Sequence, residues 1–346
     1  MVLRGSPVFI YVAGAGFTTH RGFVLPDVHA FFIQFMSFKV TILGSNSAMP
    51  ANGRHPSAQA VTINENPYLV DCGEGTQMQL MQYKVKTARI DHIFISHLHG
   101  DHYLGLLPLI DSYVLTNRTK PLHIFGPQLL QEVVEAHHKV STQRFQLPFK
   151  LLFYATNPHH TGVIFENNDV CVSTLPMKHG LECTGFLFRQ KQVLRNMITE
   201  KIQQYQIPYT AIPAIKKGAD FITMQGSVIP NSELTYLPTA GSYAYCSDTA
   251  YNEALVPHIT KVDVLYHEST YLSDLQELAA ERGHATAIDA ARIAHAAGAG
   301  RLYLGHFSSR YKKLDKYLHE AQPFFAQTYL ATEGLVIDVV PEKHVK

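Results

Sequence analysis

Short apolar runs cut by Gly, Pro and Asn clusters make up most of the chain, with fewer stretches of helical period between them. Ser37 to Leu43 reads as a first strand, and Ala58 to Ile63 and Pro67 to Val70 follow as two more. Further strand-like runs fall at 90–96, 123–125, 148–155, 161–166, 169–176, Ser242 to Cys246, Val262 to Tyr266, Arg301 to Leu304 and Leu335 to Val340. Helical spacing marks Met78 to Tyr83, 103–116, Gln128 to Val140, Leu194 to Tyr205, Ala287 to Ala297 and Tyr311 to Thr328. Thr286 stands where it can cap the helix that starts at Ala287. Strands and helices alternate in blocks, so the pattern predicts a layered α/β fold with helix-covered sheets.

Two stretches depart from this pattern. In residues 1–37 a brief apolar run, Val8 to Ala13, follows Arg4, and Met36 stands just before the first strand. The working domain is therefore expected at 38–340, with the leader dispensable. Residues 187–238 read as an insertion, Pro-punctuated from Gln206 to Gly218 and ending that run in Lys216-Lys217. Arg189, Lys191, Arg195, Lys201, Lys216 and Lys217 there outnumber Glu200, Asp220 and Glu233, so the segment carries about +3. Charge alone favours an ordinary solvated excursion; a basic arm against a phosphate backbone is the sharper reading.

Composition narrows the classes. The chain has 346 residues, 46% of them hydrophobic, enough for one large domain or two modest ones. A net charge of +1 means that any nucleic-acid binding comes from a local patch. Cys72, Cys171, Cys183 and Cys246 form no CxxC pair and read as reduced thiols of a cytoplasmic protein. No apolar run approaches the roughly 18 residues of a membrane span, so no membrane association is expected.

The chemistry concentrates in Ser96-His97-Leu98-His99-Gly100-Asp101-His102, directly after a strand-like run. His97 and His99 are two apart on an extended segment, so both imidazoles can share one cation. Asp101 and His102 lie past the bend at Gly100 and can hold a second. Imidazole with carboxylate suits zinc, and less diagnostically manganese or iron. A lone histidine would read as a polar turn; three with an aspartate in this spacing do not. His179, Asp248, Glu268 and His306 also follow strand-like runs, so each is expected at one rim of a sheet. Asp71 ends a strand too, either as a turn aspartate or as a carboxylate that orients a ligating histidine. His137 and His138 read as surface histidines.

Taken together, Asp71-Cys72-Gly73-Glu74-Gly75-Thr76-Gln77, the His97–His102 loop, His267-Glu268-Ser269-Thr270, Gly283-His284-Ala285-Thr286 and Gly305-His306-Phe307-Ser308 resemble the metallo-β-lactamase superfamily. Within it they resemble the ribonuclease Z family of tRNA 3′-processing endonucleases. The stretch around Glu268 and the one around His284 differ slightly from the usual family motifs, and Ile212-Pro213 stands where many members have Gly-Pro. The resemblance implies an αββα four-layer sandwich, the metallo-β-lactamase fold, with an inserted flexible arm. It implies two Zn²⁺ per subunit: one on His97, His99 and His179, the other on Asp101, His102 and His306, with Asp248 bridging. It implies Asp101 as proton acceptor, and His284, oriented by Glu268, as proton donor to the departing 3′-oxygen. The implied substrate is precursor tRNA, the implied assembly a homodimer, and the implied products a tRNA 3′-hydroxyl and a 5′-phosphorylated trailer. Another hydrolase of the superfamily, such as a phosphodiesterase, is the alternative.

Overall fold

The computed structural model describes residues 37–141, 147–191, 194–237 and 240–339. The leader expected to be dispensable lies, up to residue 36, outside them. Six strands come first: β1 Phe38–Gly44, β2 Ala58–Ile63, β3 Asn66–Cys72, β4 His92–Phe94, β5 Leu122–Gly126 and β6 Leu151–Ala155. They form one mixed sheet of order β18-β1-β2-β3-β4-β5-β6, where β18 is Val336–Asp338. A second mixed sheet has the order β17-β16-β15-β14-β9-β8-β7. Its strands are β7 Val163–Glu166, β8 Val170–Pro176, β9 Thr184–Gln190, β14 Ser242–Cys246, β15 Val264–Glu268, β16 Arg301–Gly305 and β17 Thr328–Leu330. β3 to β6 run parallel, as do β14 to β17, so the carboxyl ends of each set share a rim.

Strand alternation builds the layers. Val40, Ile42, Tyr68, Val70 and Phe94 from the first sheet face Phe186, Phe188, Tyr243, Tyr245 and Tyr266 from the second in one core. The opposite faces of the two sheets pack on helices with small and large side chains mixed, Leu69 and Ile93 on one sheet and Leu265 and Leu302 on the other. Ala58 and Ala60 lie in the core shared with helix Leu106–Leu115, and Ala244 and Cys246 in the core shared with helix Ala287–Ala297. The central strands of each sheet are thus buried on both faces, while the edge strands β6 and β7 stay partly open. The result is the expected αββα sandwich.

Several element boundaries differ from the sequence reading. The insertion expected at 187–238 starts later, because residues up to 190 complete β9 and pair with β14. Its own four two-residue strands, β10 Asn196–Met197, β11 Phe221–Ile222, β12 Val228–Ile229 and β13 Thr235–Tyr236, pair as two small ribbons. Ile207, Ile212, Ile215 and Leu234 give it a separate core. The helix read over 103–116 is two pieces, Gly100–Tyr103 and Leu106–Leu115, and the run at 90–96 forms backbone pairs only over β4. The last helix spans Asp315–Ala321 rather than Tyr311 to Thr328, since Pro323 cannot continue it. His138 is buried, contrary to the surface reading, while His137 bonds Asp111 at 2.9 Å. Leu130, Val134 and His138 are spaced by four on one helix face, and that face points inward. The four cysteines are free, three of them buried.

Candidate metal centre and catalytic pocket

β4 ends at Phe94, and the chain stays extended until His99 starts the helical turn Gly100–Tyr103. That turn sets Asp101 and His102 side by side. The loop after β3 docks tightly beneath it. Gly105 N donates to Cys72 O, and a Cβ on Gly105 would come within 2.0 Å of Gly73 O. Only glycine permits this approach. Asp71 and His306 both adopt positive φ, 54° and 57°, uncommon for residues with a side chain and found at constrained sites.

The residues singled out in the sequence converge. His99 Nδ1 lies 3.1 Å from His97 Nε2 and 3.3 Å from His179 Nε2. Asp248 Oδ2 closes this group at 3.5 Å from His97 Nε2 and 4.0 Å from His179 Nε2. A second group joins His306 Nε2 to His102 Nε2 and to Asp101 Oδ2, each at 3.3 Å. The other oxygen of Asp248, Oδ1, faces this group at 3.4 Å from His102 and 3.3 Å from His306. One carboxylate therefore divides its oxygens between two clusters.

The polar atoms of these clusters fit cations. Asp248 is 2% exposed, and its Oδ1 accepts no hydrogen bond among the described residues. A buried carboxylate oxygen without a partner is costly unless a positive charge faces it. His179 Nδ1 donates to Gly283 O at 2.8 Å, and His102 Nδ1 donates to Asp71 Oδ2 at 2.7 Å. Both rings thus turn Nε2 inward, the atom that a cation takes once the ring is neutral. Asp71 also accepts from Ser96 N and Tyr245 OH, so it supports the site rather than merely making a turn.

The charges are strongly coupled. Burial alone would lower His102, but Asp248, Asp101 and Asp71 around it hold its pKa well above the usual histidine value. Burial would raise Asp101, but His102 and His306 hold it far below the carboxylate range. His97 is driven well below its usual value by burial and by His102. Burial would likewise depress His284, yet the carboxylates of Glu268 and Asp248 lift it to about 9.

His284 and Glu268 meet as well. His284 Nδ1 bonds Glu268 Oε1 at 2.9 Å, and Thr249 N and Ala285 N donate to the same oxygen at 3.1 and 3.0 Å. The cavity over the clusters holds about 410 Å³ and is lined by Asp101, Asp248, His284 and His306. Arg282 and Arg310 also line it; both are exposed, and neither forms an ion pair among the described residues. Nothing in the spacing of either arginine marks it in the sequence.

Relatives decide the family. The chain is 41% identical over 304 residues to the ribonuclease Z of Bacteroides thetaiotaomicron, an overlap of 87% of this chain and 95% of that protein. The chain belongs to the ribonuclease Z family. This ribonuclease Z family member also matches, over residues 38–211, a family model described as anti-Pycsar protein Apyc1. That half holds the His97–His102 loop and His179 but not Asp248, Glu268, His284 or His306. Among solved structures the fold is similar to human tRNase Z, short form, with a TM-score of 0.62 at 24% identity over 87% of this chain and 99% of that one. It is similar too to the metallo-β-lactamase fold protein YhfI of Bacillus subtilis, with a TM-score of 0.61 at 21% identity over 87% and 99%.

Proposed function

We propose that this endoribonuclease removes the 3′ trailer from precursor tRNA at a centre of two zinc ions. His97, His99 and His179 would hold one ion, Asp101, His102 and His306 the other, with Asp248 between them. When bound, such a pair supplies positive charge to the phosphate and lowers the pKa of a water that acts as nucleophile. The division of the Asp248 oxygens between two histidine clusters is the observation that carries this reading. Three imidazoles and shared carboxylates leave room for solvent, as a catalytic site requires.

The remaining work falls to the chain's own groups. Asp101, held by Ala48 N at 2.6 Å, is placed to take the proton of the attacking water. His284 keeps Nδ1 on Glu268 and lines the cavity. Protonated, it donates to the 3′-oxygen as that oxygen leaves. Arg282 and Arg310 sit where the phosphates flanking the cut would pass, and a guanidinium suits them. The products are a tRNA with a 3′-hydroxyl and a trailer with a 5′-phosphate. The basic arm beyond β9 supplies a grip on the tRNA body. A homodimer would let one subunit's arm serve the other's site, and the unpaired thiols fit a cytoplasmic setting. No helix among the described residues is long and apolar enough to cross a membrane.

The test is to map the cut on one pre-tRNA transcript at nucleotide resolution, with metal content measured by elemental analysis and mass by light scattering. Cleavage just after the acceptor stem by protein carrying zinc supports the reading. Turnover of small phosphodiesters with an intact transcript would point to another hydrolase.

A further inference from the structure

Two buried hydroxyls, Ser96 and Thr270, take no part in the reaction just described. Thr270 Oγ1 lies 2.8 Å from Glu268 Oε2, 2.8 Å from His306 Nδ1 and 3.2 Å from His284 Nδ1. A threonine hydroxyl has one proton and two lone pairs. An ionised carboxylate can only accept, so that proton goes to Glu268. The oxygen then accepts, and His306 must carry its own proton on Nδ1. His306 Nε2 is left bare, and it is the atom that faces Asp101 and Asp248 at 3.3 Å each.

Ser96 repeats the arrangement on the other side. Its Oγ donates to Asp71 Oδ2 at 2.9 Å and accepts from Ser247 Oγ at 2.9 Å, with His97 Nδ1 at 3.0 Å. The same reasoning puts the His97 proton on Nδ1 and turns a bare Nε2 toward His99 and Asp248. Each buried carboxylate thus holds two imidazoles, one directly and one through a hydroxyl. Asp71 holds His102 directly and His97 through Ser96; Glu268 holds His284 directly and His306 through Thr270.

We propose that Thr270 and Ser96 are positioning residues that fix the tautomers of His306 and His97, each serving a different half of the metal centre. The proposal rests on the two-ion reading above. Its distinctive consequence is asymmetry. Removing the Thr270 hydroxyl leaves Glu268 Oε2 still accepting from Thr270 N at 2.8 Å, so no carboxylate is stranded. Removing the Ser96 hydroxyl leaves Asp71 Oδ2 its bonds from His102 and Tyr245. Each variant loses the shortest hydroxyl contact to one ring, His306 or His97, while His284 and His102 keep their direct carboxylate bonds; Ser96→Ala also removes the acceptor of Ser247 Oγ.

The experiment is stepwise zinc binding to the full chain by chelator competition, with Co²⁺ absorption to tell the halves apart. One half offers three nitrogens and the other two, so their cobalt spectra differ. Thr270→Val is expected to weaken one binding step by roughly 10- to 100-fold, leaving cobalt in the three-nitrogen half. Ser96→Ala is expected to weaken the other step and give the opposite spectrum. Thr270→Ser, which keeps the hydroxyl, should restore wild-type binding. If Thr270→Val does not fold, Thr270→Ala makes the same deletion without an added methyl. Wild-type binding by the hydroxyl-free variants, or equal weakness of Thr270→Ser and Thr270→Val, overturns the proposal alone. Failure of the wild type to take up metal overturns the two-ion reading and the proposal with it.

Discussion

His284→Ala takes away the proposed proton donor and leaves Asp248 and the six side chains proposed to share its two ions. Turnover of pre-tRNA is expected to fall roughly 10²- to 10⁴-fold, the range for one acid–base group, with zinc content unchanged. Single-turnover rates beside elemental analysis check this, and normal turnover would remove His284 from the reaction. The residues that could be read early are those whose spacing itself carries the chemistry. His97, His99, Asp101 and His102 have one meaning in such a short span. His179, Asp248, Glu268 and His306 could be read because each follows a strand, and strand ends share a rim. Ser96 and Thr270 stand inside the same stretches, yet a hydroxyl gains a role only from what faces it across the fold. The left-handed backbone at Asp71 and His306 was hidden for the same reason, since neither residue type announces it.

At the level of elements, helix Ala287–Ala297 follows from local sequence alone. Thr286 accepts from Asp289 N, and the Asp289 side chain accepts from Thr286 N, a complete capping box. Thr286→Ala should cost about 1 kcal/mol or somewhat more, read as a lower Tm, because the replaced hydroxyl is buried. His284 lies two residues before this cap, so kcat is expected to fall as well. Boundaries were less legible where tertiary pairing decides them. The sequence pattern starts the insertion at 187, inside β9, but pairing with both β8 and β14 keeps residues up to 190 in the sheet. That pairing also makes the arm separable. Gln190 N donates to Gly241 O at 2.9 Å, so the arm leaves and returns between hydrogen-bonded neighbours. Replacing residues 191–237 by a tight turn should leave the sandwich folded. Pre-tRNA binding is then expected to weaken far more than cleavage of bis(p-nitrophenyl) phosphate, both measured on the same preparation. Equal loss of both activities would make the arm a structural part.

Across the whole molecule, the two clusters act as a charge reservoir whose state depends on metal and pH together. Without metal, His284 has its pKa raised from 6.5 to about 9, and His102 is raised as well. A raised folded-state pKa stabilises the chain fully below the unfolded value, and that stabilisation is lost as pH climbs through the folded one. For His284 the window runs from about 6.5 to about 9, and the loss across it is on the order of 2 to 3 kcal/mol. Asp101 and Asp248 have depressed values, so what they contribute is lost only in acid and does not offset the change in this window. Metal reverses the trend. An ion on His102 needs that ring neutral, so binding releases a proton and tightens as pH rises. The Tm of chelator-treated protein is therefore expected to fall between pH 6.5 and 9, and the gap to the zinc-loaded protein to widen over the same range. Calorimetry of both forms at several pH values checks this, and a gap independent of pH would mean that the clusters do not exchange protons for metal. The same coupling joins fold to function: β3, β4, β14, β15 and β16 end at one rim, so the charges that destabilise that rim when empty are the ones that make it a cation site.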